Sequence, residues 1–183
     1  MDNKVMQGLL NTWDKGRTTP LVMDGIIGPL SREKIRRFQK EHGLVVDGIA
    51  GPITKYELMF YKYKDFEKSE FKCKCGGRFC NGYPAKVEES LLKQLQQIRN
   101  YFGKPVIITS GIRCRTHNHN VAGADTSQHV HGKAADIKVQ GVSPDLVYSY
   151  ANQINRDGCV IRYKTFNHID RRGYRLRLDY RNR

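Results

Sequence analysis

The chain has 183 residues, 39% of them apolar, and carries 32 Lys and Arg against 18 Asp and Glu, a net charge of +14. Its aromatic and aliphatic content excludes a disordered chain, and no apolar run reaches the ~18–20 residues that span a bilayer. The charge excess points to a polyanionic partner, whether nucleic acid, an anionic membrane surface or an anionic cell wall. Polar residues interrupt the N-terminal stretch, which therefore does not read as a secretory signal; the expectation is synthesis in the cytoplasm, with any release by a non-classical route.

In chain order, Val5, Leu9, Leu10 and Trp13 predict an amphipathic first helix. An imperfect repeat follows, with Asp24-Gly25-Ile26-Ile27-Gly28-Pro29 echoed by Asp47-Gly48-Ile49-Ala50-Gly51-Pro52. Asp-Gly makes a tight turn and Pro suits a first helical turn, so each copy predicts a turn leading into a helix. Ile35 and Phe38 share one stripe of the helix between the copies, and His42 falls near its end. The reading is a three-helix module over residues 1–60. Residues 61–85, dense in charge and containing Cys73, Cys75 and Cys80, read as a linker and Cys-rich segment.

The module resembles the peptidoglycan-binding domain of cell-wall hydrolases, through its paired Asp-Gly and Gly-Pro turns and its Phe38-Gln39 helix. The resemblance implies retention on bacterial peptidoglycan rather than catalysis.

Residues 86–183 read as a second domain. Leu91, Leu92, Leu95, Ile98 and Phe102 recur at helical spacing up to Gly103, and Pro105 to Thr109 form a strand. A loop over 110–128, a strand around 135–139 and a helix capped by Ser143-Pro144 come next. Further strands are expected near 159–163 and 166–170, and the alternation of Tyr174, Leu176, Leu178 and Tyr180 with Arg175, Arg177, Asp179 and Arg181 predicts a half-buried strand with a basic outer face. The domain is thus α+β, with helices around an antiparallel sheet. The Arg-rich end carries no base-reading motif, so specific nucleic-acid binding is not expected; a monomer is.

The stretch Ser127 to Asp136 holds the chemistry. Read alone, His129 and Asp136 suit two ligands of a zinc site with His168 as the third, or equally a surface histidine and a turn aspartate. The motifs Ser110-Gly111-Ile112-Arg113, Ser127-x-His129-x-x-Gly132-x-Ala134-x-Asp136 and Phe166-x-His168-x-Asp170 resemble, in this order, the zinc D-Ala-D-Ala carboxypeptidase family. That family includes L-alanyl-D-glutamate endopeptidases and shares a hedgehog-like fold. The resemblance implies His129, Asp136 and His168 as zinc ligands and Arg113 as a positive group for a developing oxyanion or a substrate carboxylate. It also implies hydrolysis of an amide bond in peptidoglycan stem peptides, as a carboxypeptidase or endopeptidase, and with the wall-binding module a phage or prophage endolysin or another cell-wall lytic enzyme.

Several family members carry an acidic residue three positions before the last histidine, where this chain has Thr165. Asp170 is the nearest acidic alternative as general base, and its other reading is a carboxylate that orients a ligand. Should no base exist, a non-catalytic zinc-containing wall-binding protein is the alternative function. Ser127, Gln128 and His131 are candidates for substrate contacts, His131 alternatively lying in solvent. Cys73, Cys75 and Cys80, with Cys114 as a further member, read as a structural zinc site, a disulfide or free thiols.

Overall fold

The computed structural model describes residues 1–182, which divide into two compact units, 1–64 and 65–182. The first is a bundle of α1 (Asn3–Asp14), α2 (Pro29–Glu41) and α3 (Pro52–Lys62). Pro29 and Pro52 open their helices behind Gly28 and Gly51, as the repeat predicts. Leu10, Ile35, Phe38 and Leu58 are fully buried, with the Trp13 ring edge-on to Phe38 at 5.3 Å between centroids. On α1 the inward residue is Met6 rather than Val5, which is exposed.

The repeat is also a repeat of hydrogen bonds. Gln7 Nε2 donates to Asp24 Oδ1 and the Ile26 carbonyl at 2.9 and 3.0 Å, while its Oε1 accepts from Gly25 N at 2.8 Å. Gln39 does the same for the second turn, donating to Asp47 Oδ1 and the Ile49 carbonyl at 2.8 and 2.9 Å and accepting from Gly48 N at 2.9 Å. Each buried amide thereby satisfies donors and acceptor together. His42 caps α2, bonds the Phe38 carbonyl and Tyr61 hydroxyl, and stacks on Phe38.

A buried ion pair fixes the end of α1. Asp14 accepts from Lys34 Nζ at 3.2 Å and from Thr18 N and Oγ1 at 2.8 Å, with both charged side chains out of solvent. Burial opposes ionisation of Asp14, but the Thr18 bonds and Lys34 outweigh it and hold the carboxyl down at about 2. Asp14→Ala strands the Lys34 ammonium and is expected to cost this unit about 3–5 kcal/mol. Trp13, the chain's one tryptophan, reports unfolding of this unit alone by fluorescence. Because the folded pKa lies below the ordinary aspartate value of 3.8, the wild-type advantage is full above that value and fades as pH falls towards 2; an Asp14→Ala deficit unchanged at pH 2 would contradict it.

The second unit begins inside the segment read as a linker. Residues 65–85 belong to it: a 3-10 turn at Lys68–Phe71 buries Phe71, and Cys73 and Cys75 are buried. The remaining elements are α4 (Glu89–Phe102), β1 (Val106–Ser110), α5 (Arg115–Asn120), β2 (Ala134–Val139), α6 (Pro144–Ile154), β3 (Cys159–Arg162), β4 (Asn167–Asp170) and β5 (Leu176–Asp179). Gly103 ends α4 in the left-handed conformation, and Ser143 Oγ caps α6. Both long helices pack on the sheet, so α4 turns Leu91, Leu92, Leu95 and Ile98 inward.

The sheet order is β1-β2-β4-β3-β5, antiparallel except for the parallel β3/β5 pair. The unit is α+β as expected, with a mixed rather than wholly antiparallel sheet. Alternation along the last strand predicts its faces but carries no information on pairing direction. Nor is its polar face simply solvated. Arg177 reaches back to the Asn152 side chain and the carbonyls of Asn152, Asn155 and Gly158, capping the C-terminal end of α6. Among the described residues, no helix is long and apolar enough to cross a membrane.

Candidate metal centre

Two strands and one loop build the site. In the β2/β4 ladder Asp136 lies directly opposite His168, which brings Cβ atoms to about 4.5–5.5 Å. His129 comes from the turn before β2 and is tied to the loop after β1: Arg113 N donates to its carbonyl at 3.1 Å, and its ring Nδ1 meets the Gly111 carbonyl at 2.6 Å. Gly132, between the two ligand positions, has φ +69° and accepts from Glu88 N at 3.0 Å through its carbonyl. A Cβ there would lie 1.9 Å from the Lys86 carbonyl oxygen, so the turn presses against the segment leading into α4.

The inward atoms form a small triangle. His129 Nε2 is 3.2 Å from both Asp136 Oδ1 and His168 Nδ1, and His168 Nδ1 is 2.8 Å from Asp136 Oδ1. Tetrahedral ligands at ~2.0–2.1 Å from zinc are spaced about 3.3 Å apart, close to the two 3.2 Å edges and longer than the third. Both outer ring nitrogens face acceptors, the Gly111 carbonyl for His129 and Asp170 Oδ2 for His168 at 3.1 Å. Neutral rings that donate outward aim two nitrogen lone pairs and a carboxylate oxygen at one point. Three acceptors facing one another call for a cation, and the donor set suits zinc.

The electrostatics of the two rings differ. Burial lowers the His129 pKa against the pull of Asp136, keeping that ring neutral. Burial also acts to lower that of His168, but Asp136 and Asp170 overcome it and raise it. Asp136, whose burial works against ionisation, is held well below the usual carboxylate range by the two histidines. Its second oxygen accepts from Arg113 Nη2 at 2.6 Å, and Arg113 Nε donates to Ser110 Oγ at 3.0 Å.

The three ligand candidates are 2–8% exposed and form the floor of a cleft of ≈ 500 Å³. Arg113, the candidate positive group, lines it together with Ser127 and Gln128. His131 does not line it and is exposed, in the solvent position that was its other reading. Asp170 does not line it either. Fully buried, it accepts from His168, from Cys159 N at 3.0 Å and from Arg172 at 2.5 Å, so its oxygens are spoken for. The geometry is that of a ligand-orienting carboxylate, not of a base facing substrate. Regular alternation on β4 does place it beside His168, but deeper in the protein.

Sequence reasoning missed the cleft-lining place of Tyr163, Phe166, Arg172, Leu178 and Tyr180. The alternation of Leu178 and Tyr180 was the available signal, though it spoke of burial rather than a cleft. The 110–128 loop also contains a helical turn, α5, on which His117 and His119 sit.

Cys73, Cys75, Cys80 and Cys114 make a separate cluster, their sulfurs all within 4.8 Å of one another. The fourth cysteine completes the set of three singled out from the sequence.

Comparison with known proteins agrees with both units. Residues 4–58 match the putative peptidoglycan binding domain family, and residues 64–170 match the peptidase M15 family. The zinc D-Ala-D-Ala carboxypeptidase of Streptomyces albus G is 33% identical over 138 residues, covering 67% of this chain and 52% of that protein. The chain thus spans about half the length of the curated relative it matches. With a match over more than half its length and the family's His, Asp and His motifs converging at one cleft floor, this chain belongs to the peptidase M15 family.

Proposed function

We propose that the chain is a zinc-dependent peptidase that hydrolyses an amide bond in peptidoglycan stem peptides, held at the wall by its N-terminal unit. The observation that carries this reading is the His129, Asp136 and His168 triangle at the floor of an open cleft, in a chain that also has a peptidoglycan-binding module. His129, Asp136 and His168 would hold the zinc, which when bound would supply Lewis acidity and an acidified water for amide hydrolysis. Arg113 fixes Asp136 through one guanidinium nitrogen and presents positive charge to the cleft, where a substrate carboxylate or developing oxyanion gains from it. Arg172 adds a second cation at the wall, an arrangement that favours a substrate ending in a free carboxylate, as D,D-carboxypeptidase action requires. The net charge of +14 favours anionic wall polymers, and a single chain pairing wall retention with hydrolysis supports a lytic role such as that of an endolysin, acting as a monomer at the bacterial wall.

Asp170 is assigned to positioning: it holds the His168 ring so that Nδ1 faces the metal. Asp170→Asn is expected to weaken zinc affinity about 10–100-fold, with turnover largely restored by saturating zinc. Turnover that stays abolished at full zinc occupancy would make Asp170 the base instead.

A second reading, a wall-binding protein without hydrolysis, rests on the absence of any carboxylate other than Asp136 from the described cleft lining and on exposed Thr165 at the expected base position. Mass spectrometry of purified peptidoglycan digested with the zinc-loaded protein separates the two. New peptide termini identify the bond cut, whereas intact muropeptides with retained zinc and wall binding establish the scaffold.

A further inference from the structure

Away from the cleft, the 73–82 loop and the start of α5 bring four sulfurs together. Cys73, Cys75 and Cys114 are buried and Cys80 is half-buried. Cys75 Sγ and Cys80 Sγ are 3.5 Å apart, close to the ~3.8 Å edge of a tetrahedral zinc tetrathiolate with ~2.3 Å bonds. Three of the sulfurs also accept from backbone amides. Cys114 N donates to Cys73 Sγ at 3.3 Å, Gly82 N to Cys80 Sγ at 3.3 Å and His117 N to Cys114 Sγ at 3.4 Å. Cys75 lies at the start of a tight turn through the left-handed Gly76 and Gly77, which brings its sulfur back to Cys80. Neutral thiols have little need of such donors, whereas thiolates gathered around one cation do.

We propose that Cys73, Cys75, Cys80 and Cys114 bind a second, structural zinc, each losing its thiol proton to solvent on binding, and that this zinc positions the loop of the catalytic centre. Cys114 directly follows Arg113. The strap and loop are already laced together: Ile112 N donates to the Phe71 carbonyl at 2.9 Å, and Lys74 Nζ to the Thr109 carbonyl at 2.6 Å. Gly111, whose carbonyl holds His129, sits so close that a Cβ would lie 2.6 Å from Phe71 Cα. A metal binding both segments therefore fixes Arg113 and the His129 ring from behind. The second site stands whether or not the cleft hydrolyses anything.

Elemental analysis of the full chain, purified under reducing conditions, is expected to find zinc at both clusters, hence two equivalents per chain. His168→Ala retains one, and its cobalt derivative shows sulfur-to-metal charge-transfer absorption in the near ultraviolet. Cys75→Ser loses one equivalent and that absorption, and trypsin cuts faster at exposed Arg115 in the loop. If the serine variant does not fold, wild-type protein still decides: its four cluster thiols resist a thiol reagent until a chelator is added. A single zinc per wild-type chain, with these thiols freely reactive or joined as disulfides under reducing conditions, overturns the proposal. Unchanged trypsin cleavage in a folded Cys75→Ser variant removes the positioning role.

Discussion

His168→Ala is expected to take away the catalytic zinc and reduce muropeptide cleavage to background while leaving wall binding intact. The imidazole is one corner of the ligand triangle, directly across the ladder from Asp136. Its loss leaves two protein ligands, where a catalytic zinc needs three and an open position. Asp136 still accepts from Arg113, so the sheet keeps its buried carboxylate paired and the variant is expected to fold. Dialysed protein assayed by elemental analysis, muropeptide mass spectrometry and sedimentation with cell walls tests the three parts separately. Undiminished cleavage by a zinc-free variant would remove zinc chemistry from the account; lost wall binding would show that the N-terminal unit is not the anchor.

In the second unit the largest effect on stability is expected from Gly132→Ala. The residue has φ +69°, which costs an L side chain about 1–2 kcal/mol, and its added methyl would press on the Lys86 carbonyl oxygen at 1.9 Å. Relief requires moving backbone, worth about another 1–3 kcal/mol. Gly141→Ala is the matched control: φ is +70°, but nothing lies within 4 Å of the new Cβ. Calorimetry of the second unit is expected to show a Gly132→Ala loss at least about twice that of Gly141→Ala. Because Gly132 lies between His129 and Asp136, zinc affinity falls with it. Equal losses in the two variants would mean that the turn yields freely and does not set the ligand geometry.

Much of the centre was legible because its ligands lie in short motifs whose residue types suit zinc. What joins those motifs was not. The Asp136 to His168 register depends on β4 pairing with β2 after α6 and β3 have intervened, and nothing local to either strand specifies it. Asp170 illustrates the limit in a single residue. Its acidity and spacing fit a base, and only the Arg172 guanidinium and the Cys159 amide, which occupy its oxygens, show otherwise. In the N-terminal unit the repeat and both proline helix starts could be read directly, yet the Gln7 clamp on the first turn could not, since its partners are 17–19 residues away. Arg177 misled in the opposite sense, because alternation assigns a charged residue to solvent whereas the end of α6 supplies carbonyls that draw it in.

The sheet order has a consequence for how the centre can be lost. β4 has a neighbour on each side, β2 and β3, and all four of its residues are buried, while β1 and β5 take the edges. Amide hydrogen exchange in such a sheet is slowest at its middle, where opening requires the whole cooperative unit to come apart. His168 therefore rides on the last segment to open, with Asp136 on the strand beside it. Fraying of β5 can proceed and reverse without releasing a ligand, whereas His129, held by the Gly111 carbonyl just past edge strand β1, is the ligand that local opening frees first.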